Sequence, residues 1–254
     1  MRSTGAATDW RDASAYASLL DADRSFHAWE WLRRDRAYRE AARAERVPEA
    51  GRARPGPRSW GLEAFEDPDL VTPDARPLWS REVHPFVLSA VVARVGSAAD
   101  AFDLARFAAL AKLHRSEDGI EHVLLADGLR ALRLDVIAGS IGQGPAQLRY
   151  LLAGIASAAP PLLTLQRLLV FCRTGRFARS LHRPEAKAGR WVLMLRAWDG
   201  LAAGADQREI AAALLSARAA ERRWRSETPS LRSQAQRLVR EAGRMAGGGW
   251  RALL

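Results

Sequence analysis

Cysteine is almost absent from this chain. Cys172 stands alone among 254 residues, which excludes a disulfide framework within the chain. Its place in the apolar run Leu168–Cys172 reads as a small buried hydrophobe. No run of 18 apolar residues occurs, so no membrane span is expected. Residues 1–12 lack the apolar core of a signal peptide, and a cytoplasmic location is the default expectation. Catalytic patterns are missing as well. His27, His84, His114, His122 and His182 are scattered, with no cysteine or carboxylate at metal-ligand spacing, so structural roles and no metal are expected. The glycine-rich Gly139–Gly144 lacks the Gly-Lys-Ser/Thr of a phosphate loop and reads as a turn leaving a sheet. There is no Gly-x-Ser-x-Gly, and Asp199 and Glu209 fall on separate helices. The expectation is a protein without cofactor or enzymatic activity.

Lysine is the other scarcity, with only Lys112 and Lys187, so arginine carries nearly all the positive charge. That charge is unevenly placed. Residues 142–254 hold 19 Arg or Lys against 7 Asp or Glu, whereas the rest holds 20 against 22. The whole excess of the +10 chain therefore lies in its C-terminal part, which suggests a polyanion partner there. A basic, solvated face is the competing explanation.

That part reads as three helices. Residues 187–203 place Trp191, Leu195, Trp198 and Ala202 on one face, and Gly204 supplies a stop. Asp206 with Glu209 three residues on fits a capping box, opening a short helix through Ile210, Ala211, Leu214 and Leu215. Thr228 before Pro229 reads as the N-cap of the last helix, about 229–246. There Leu231, Ala235, Leu238, Ala242 and Met245 form one apolar stripe. Arg232, Ser233, Gln236, Arg237, Arg240 and Arg244 fall largely outside it, where Arg can meet guanine edges or phosphate and Gln can meet adenine. The outline over 187–246 is that of a helix-turn-helix module. It is a variant, because Ser216 to Thr228, with a short helix expected at 219–225 around Trp224, replaces the usual turn of three or four residues.

Upstream, the fold class is expected to be α+β. Residues 1–47 form an N-terminal helical hairpin, its second helix running from Ser25 to Arg46. Its aromatics, among them Trp10, Tyr16, Trp29, Trp31 and Tyr38, are dense for so short a segment and must dock either on the rest of the chain or on a partner protein. Residues 48–76 are a linker by their Pro and Gly content, with a solvated acidic stretch at Glu63–Asp69. Residues 77–140 read as a small antiparallel β-sheet with strands at Val87–Val95, Ala109–His114, Glu121–Leu125 and Leu132–Ile137. Asp127-Gly128 is its hairpin turn, and Asp103–Ala111 is ambiguous between helix and strand. Residues 141–254 form a helical domain. Its first helix spans Pro145–Ala158, Pro160-Pro161 breaks it, and helix resumes to Thr174 before the basic connection Arg176–Arg183.

Two segments resemble a known family. Asp9-Trp10-Arg11-Asp12, Tyr16, Leu19 to Arg24, Trp29 to Asp35 and Tyr38 resemble the N-terminal transcriptional-regulator domain of proteobacterial proteins encoded on mobile elements. Leu148-Arg149-Tyr150, Cys172 to Phe177, Gln207 to Ala211, Ser230 to Ser233 and Arg237 to Arg240 resemble the uncharacterised domain that accompanies it, viewed as a helix-turn-helix variant. The pairing is similar to FseA-type activators of integrative and conjugative element excision, and to their smaller antiactivators. The resemblance implies a double-stranded-DNA-binding activator, with Gln207 and Arg208 joining the candidate DNA contacts. It also implies an N-terminal segment that contacts an antiactivator or another regulator. Reading two half-sites would suit a homodimer. The alternative is an antiactivator-like regulator that binds another factor and not DNA.

Overall fold

The computed structural model describes residues 9–45, 55–220 and 229–254, so Thr228, Trp224 and the first part of the linker, 48–54, lie outside the described residues. In chain order the helices are α1 (Arg24–Leu32), α2 (Arg36–Glu45), α3 (Ala159–Thr174), α4 (Ala188–Ala202), α5 (Gln207–Leu214) and α6 (Pro229–Ala246). The strands are β1 (Val87–Ala93), β2 (Ala101–Phe102), β3 (Ala111–Arg115), β4 (Glu121–Ala126), β5 (Ala131–Ala138) and β6 (Ala146–Leu151). The class is α+β. Among the described residues, no helix is long and apolar enough to cross a membrane.

Two compact units divide the chain, residues 1–36 with 184–253 and residues 37–183. These units cut across the segments expected at 1–47, 48–76, 77–140 and 141–254. Burial explains both differences. The aromatics before Arg36 are used by α4 and α6, and residues 146–174 complete the sheet and its cover.

In the helical unit, α1 buries Ser25 to Leu32 without a break and packs against α4, α6 and the closing turn Gly249–Leu253. Trp250 and Leu253 are buried in that turn. Trp10 lies on α4 at Gly200, where an added Cβ would come 3.1 Å from the indole. Arg196 fixes the same segment, donating from Nε to the Trp10 carbonyl at 2.9 Å and from Nη2 to the Arg11 carbonyl at 2.6 Å. The expected helix from Ser25 to Arg46 is in fact two. The Arg34 and Asp35 amides donate to Trp31 and Leu32, tightening the last turn. Arg34 Nη1 donates to the Glu30 carbonyl at 2.6 Å and so caps it.

The sheet unit is a mixed six-stranded sheet in the order β2-β6-β1-β5-β4-β3. The expected antiparallel sheet is corrected at one place, since β1 and β5 are parallel. The β3–β4 hairpin occupies the chain between them, so β5 returns in the direction of β1. The Asp127-Gly128 turn is present, with Gly128 at φ +95°. A second correction concerns Pro145–Ala158, which is not helical. Residues 146–151 form β6, antiparallel to β1, with Ala146, Leu148 and Tyr150 toward the core in period two. Pro160 and Pro161 do not break a helix but open α3, where a missing N–H costs nothing. Helix α3 covers the sheet through Leu168 and Phe171, and Thr164 Oγ1 donates to the Phe86 carbonyl at 2.7 Å. The ambiguous Asp103–Ala111 stretch holds a 3-10 turn at Leu104–Phe107.

The latter part of the expected linker is built into this unit. Leu62 and Trp79 form a β-bridge and, with Leu78, are buried. The acidic stretch is not wholly solvated either, for Glu63 and Glu66 are each only 7 % exposed. Glu66 is held by Lys112 Nζ at 2.6 Å and by the Arg76 amide at 3.2 Å.

Candidate nucleic-acid interface

Helix α6 follows from its sequence. Ala235, Leu238, Ala242 and Met245 are buried, with Leu231 half-buried at the start of the stripe. They pack against α4, α5 and α1. At about 100° per residue, Ser233, Arg237, Arg240 and Arg244 fall opposite that stripe, and all four are exposed. Arg232 is exposed at one flank, and Gln236 beside it is half-buried. The helix carries one acid, Glu241. Its Oε2 accepts from Arg190 Nη2 on α4 at 2.6 Å, which turns it aside and leaves the outward face with arginine as its only charged residue.

Helix α5 supports this arrangement. The capping box forms as the spacing predicts: the Glu209 amide donates to Asp206 Oδ1 at 2.8 Å, and the Asp206 amide to Glu209 Oε2 at 2.9 Å. Ile210 and Ala211 are buried, and Ala211 joins Ala219 and Ala235 in a small apolar cluster with Leu215 and Leu231. Gln207 is exposed at the first turn. Arg208 is used internally instead, its Nε donating to the Ala219 carbonyl at 3.0 Å. It thereby ties α5 to the turn Ala217–Ala220.

The five candidate partner anchors have a different setting. Trp10, Tyr16, Trp29 and Trp31 lie in the interior of the helical unit, each no more than 3 % exposed, and Tyr38 is fully buried in the sheet unit. Their surface is spent on the chain's own core, the docking alternative that the sequence left open. The Tyr16 hydroxyl donates to Asp199 Oδ2 at 2.6 Å. Arg34 grips the same carboxylate at 2.7 and 2.8 Å and reaches Glu30 Oε2 at 2.6 Å. Burial and the neighbouring Asp199 carboxylate push the Tyr16 hydroxyl well above its ordinary range. Burial also holds the His27 imidazole down to about 4.

Folding assembles one group that spacing could not reveal. Glu63, His122 and Asp135 bring donor atoms within 4.8 Å of one another in the sheet unit. Both imidazole nitrogens are engaged there, Nδ1 at 2.8 Å from Asp135 Oδ1 and Nε2 at 3.2 Å from Ser116 Oγ. Arg133 Nη2 lies 3.1 Å from the same Asp135 oxygen, and its Nε donates to the Trp79 carbonyl. A buried guanidinium thus supplies the positive charge a metal would bring, and the group reads as an internal ion network. Burial raises the affinity of Asp135 for a proton, but the His122 hydrogen bond and Arg133 charge outweigh it and hold the carboxyl below its usual range.

A helical module with a solvent-facing arginine row and an acid-free outer face has the features of a polyanion binder, and comparison with known families narrows this to the DNA-binding transcription regulators. Residues 153–254 match a family described as "T6SS, Transcription factor, DNA binding domain". Residues 9–63 match the "Proteobacterial transcriptional regulator-like domain". No curated protein matches the chain.

Proposed function

We propose that the chain is a sequence-reading activator that lays α6 in the major groove as the recognition helix of a helix-turn-helix variant. The observation that carries this reading is the exposed row Ser233, Arg237, Arg240 and Arg244 opposite an inward apolar stripe that is buried from Ala235 to Met245. A protein-binding regulator that ignored DNA would need its aromatic anchors at the surface, and they are interior. Arg232, Gln236 and Gln207 extend the contact surface, and Arg208 acts as a brace behind it. The resemblance to FseA-type proteins supports a role on a mobile element, whereas the matching domain's description offers T6SS genes as the other source of targets. A homodimer would place two α6 helices at half-sites about 34–36 Å apart.

The test is binding of the purified protein to genomic fragments across a salt titration, repeated with Arg237, Arg240 and Arg244 all changed to Ala. Wild-type binding at discrete sites that the triple variant loses is the expected result, and those sites reveal which genes are controlled. Binding that is uniform along the genome, or a variant with unchanged site preference, would remove α6 as the reading helix.

A further inference from the structure

From Val136 to Pro184 the chain contains no Asp or Glu, yet it contains six arginines. One of them, Arg167, is spent inside the fold, where its Nε donates to the Leu181 carbonyl at 2.9 Å. Four others, Arg173, Arg176, Arg179 and Arg183, crowd into the end of α3 and the connection that follows it. All four are exposed, and none has a carboxylate partner among the described residues.

This connection is held firmly from within. Gly175 ends α3 at φ +68°, and its amide donates to the Phe171 carbonyl at 2.7 Å. Thr174 Oγ1 donates to the Val170 carbonyl at 2.8 Å and accepts from the Arg176 amide at 3.3 Å. Phe177 turns inward, its ring 4.8 Å from Phe171 and 5.6 Å from His182. His182 is buried, and its amide donates to the Ala178 carbonyl. Inward Phe177, Leu181 and His182 thus alternate with outward Arg176, Arg179 and Arg183. Unpaired like charges held close together repel one another, so the arrangement gains from a polyanion that neutralises them. The bidentate geometry of guanidinium suits phosphate oxygens.

We infer that this arginine connection is a second DNA contact, in the sheet unit, that grips phosphates without reading bases. The inference rests on the DNA-binding reading above. It adds a site for the phosphodiester backbone to the base-reading face of α6. Phosphate contacts set affinity and salt dependence and carry no sequence information, so the two sites have different signatures.

The experiment compares full-length wild type with a variant in which Arg173, Arg176, Arg179 and Arg183 are all changed to Gln. Affinity for a selected duplex and for a scrambled one is measured from low to physiological salt. Each lost phosphate contact should flatten the log–log salt dependence by about 0.9. The slope of the variant should therefore be shallower by about 3 to 4, with the ratio of selected to scrambled affinity unchanged. A thermal melt should match wild type, because the four side chains carry no packing. If the quadruple variant fails to fold, the pairs Arg173→Gln/Arg176→Gln and Arg179→Gln/Arg183→Gln are measured instead, each expected to flatten the slope by about half as much. A folded variant with the wild-type slope overturns the phosphate contact and leaves α6 untouched, as does one that loses only an acidic protein partner. Wild type that binds no duplex at any salt overturns the underlying reading as well.

Discussion

Two regions of the helical unit use arginine in opposite ways. Between α1 and α4, Arg34 and Arg196 are largely enclosed, and their donors meet Asp199, Glu30 or a main-chain carbonyl. On the outer face of α6, Arg237, Arg240 and Arg244 project into solvent. The residue type is the same, and the surroundings decide its role. An enclosed guanidinium must be matched because its desolvation is costly, whereas an exposed one stays available to a ligand. Counting arginines along the chain merges the two, so the +12 surplus of residues 142–254 overstates what faces DNA.

The largest effect should come from breaking the enclosed set. Arg34→Met takes the guanidinium from Asp199, which keeps the Tyr16 hydroxyl, and leaves Glu30 to Arg33; one partner lost from a buried pair typically costs about 3–5 kcal/mol. The unfolding midpoint in urea should drop accordingly, whereas Arg237→Met should stay within about 0.5 kcal/mol of wild type. Equal effects from the two changes would erase the contrast.

Acidification probes the same interior. His27 stays neutral in the folded state down to about pH 4, but in the unfolded chain it takes up a proton near its ordinary value of 6.5. Stability is therefore full above about pH 6.5 and falls as pH drops toward 4, by about 3 kcal/mol. His27→Gln should flatten that part of the pH–stability curve, and an unchanged curve in this variant would clear His27 of the effect. Asp135, held below its usual range, adds a loss only at lower pH, as its carboxylate is protonated.

The smallest effect concerns the frame of the candidate interface. Asp206→Ala removes one half of the capping box and should cost about 1 kcal/mol. Helix α5 backs α6, so DNA affinity should weaken modestly, with base preference retained. A changed preference would show that α5 itself reads bases.

Elements with a local signature were legible before folding was considered. The stripe of α6, the Asp206–Glu209 box and the Asp127-Gly128 hairpin each depend on residues no more than about four positions apart, where periodicity and side-chain chemistry suffice. Residues 146–151 were misread because a short run such as Ala146-Gln147-Leu148-Arg149-Tyr150 fits either period, and only the free edge of β1 selects strand. The bond from Arg208 to the Ala219 carbonyl was not legible, because the sequence does not show that this carbonyl would come within its reach.

The sequence by itself determined the α+β class, the basic C-terminal part and the amphipathic last helix with its row of arginines. These depend on local periodicity and composition. Tertiary structure alone decided which charges are consumed and which remain. It interred Trp10, Tyr16, Trp29 and Trp31, paired Arg34 with Asp199 across 165 positions of chain, and gathered Glu63, His122 and Asp135 around Arg133. Burial and long-range pairing depend on what folding brings alongside each side chain, and that information is not local to any stretch of sequence.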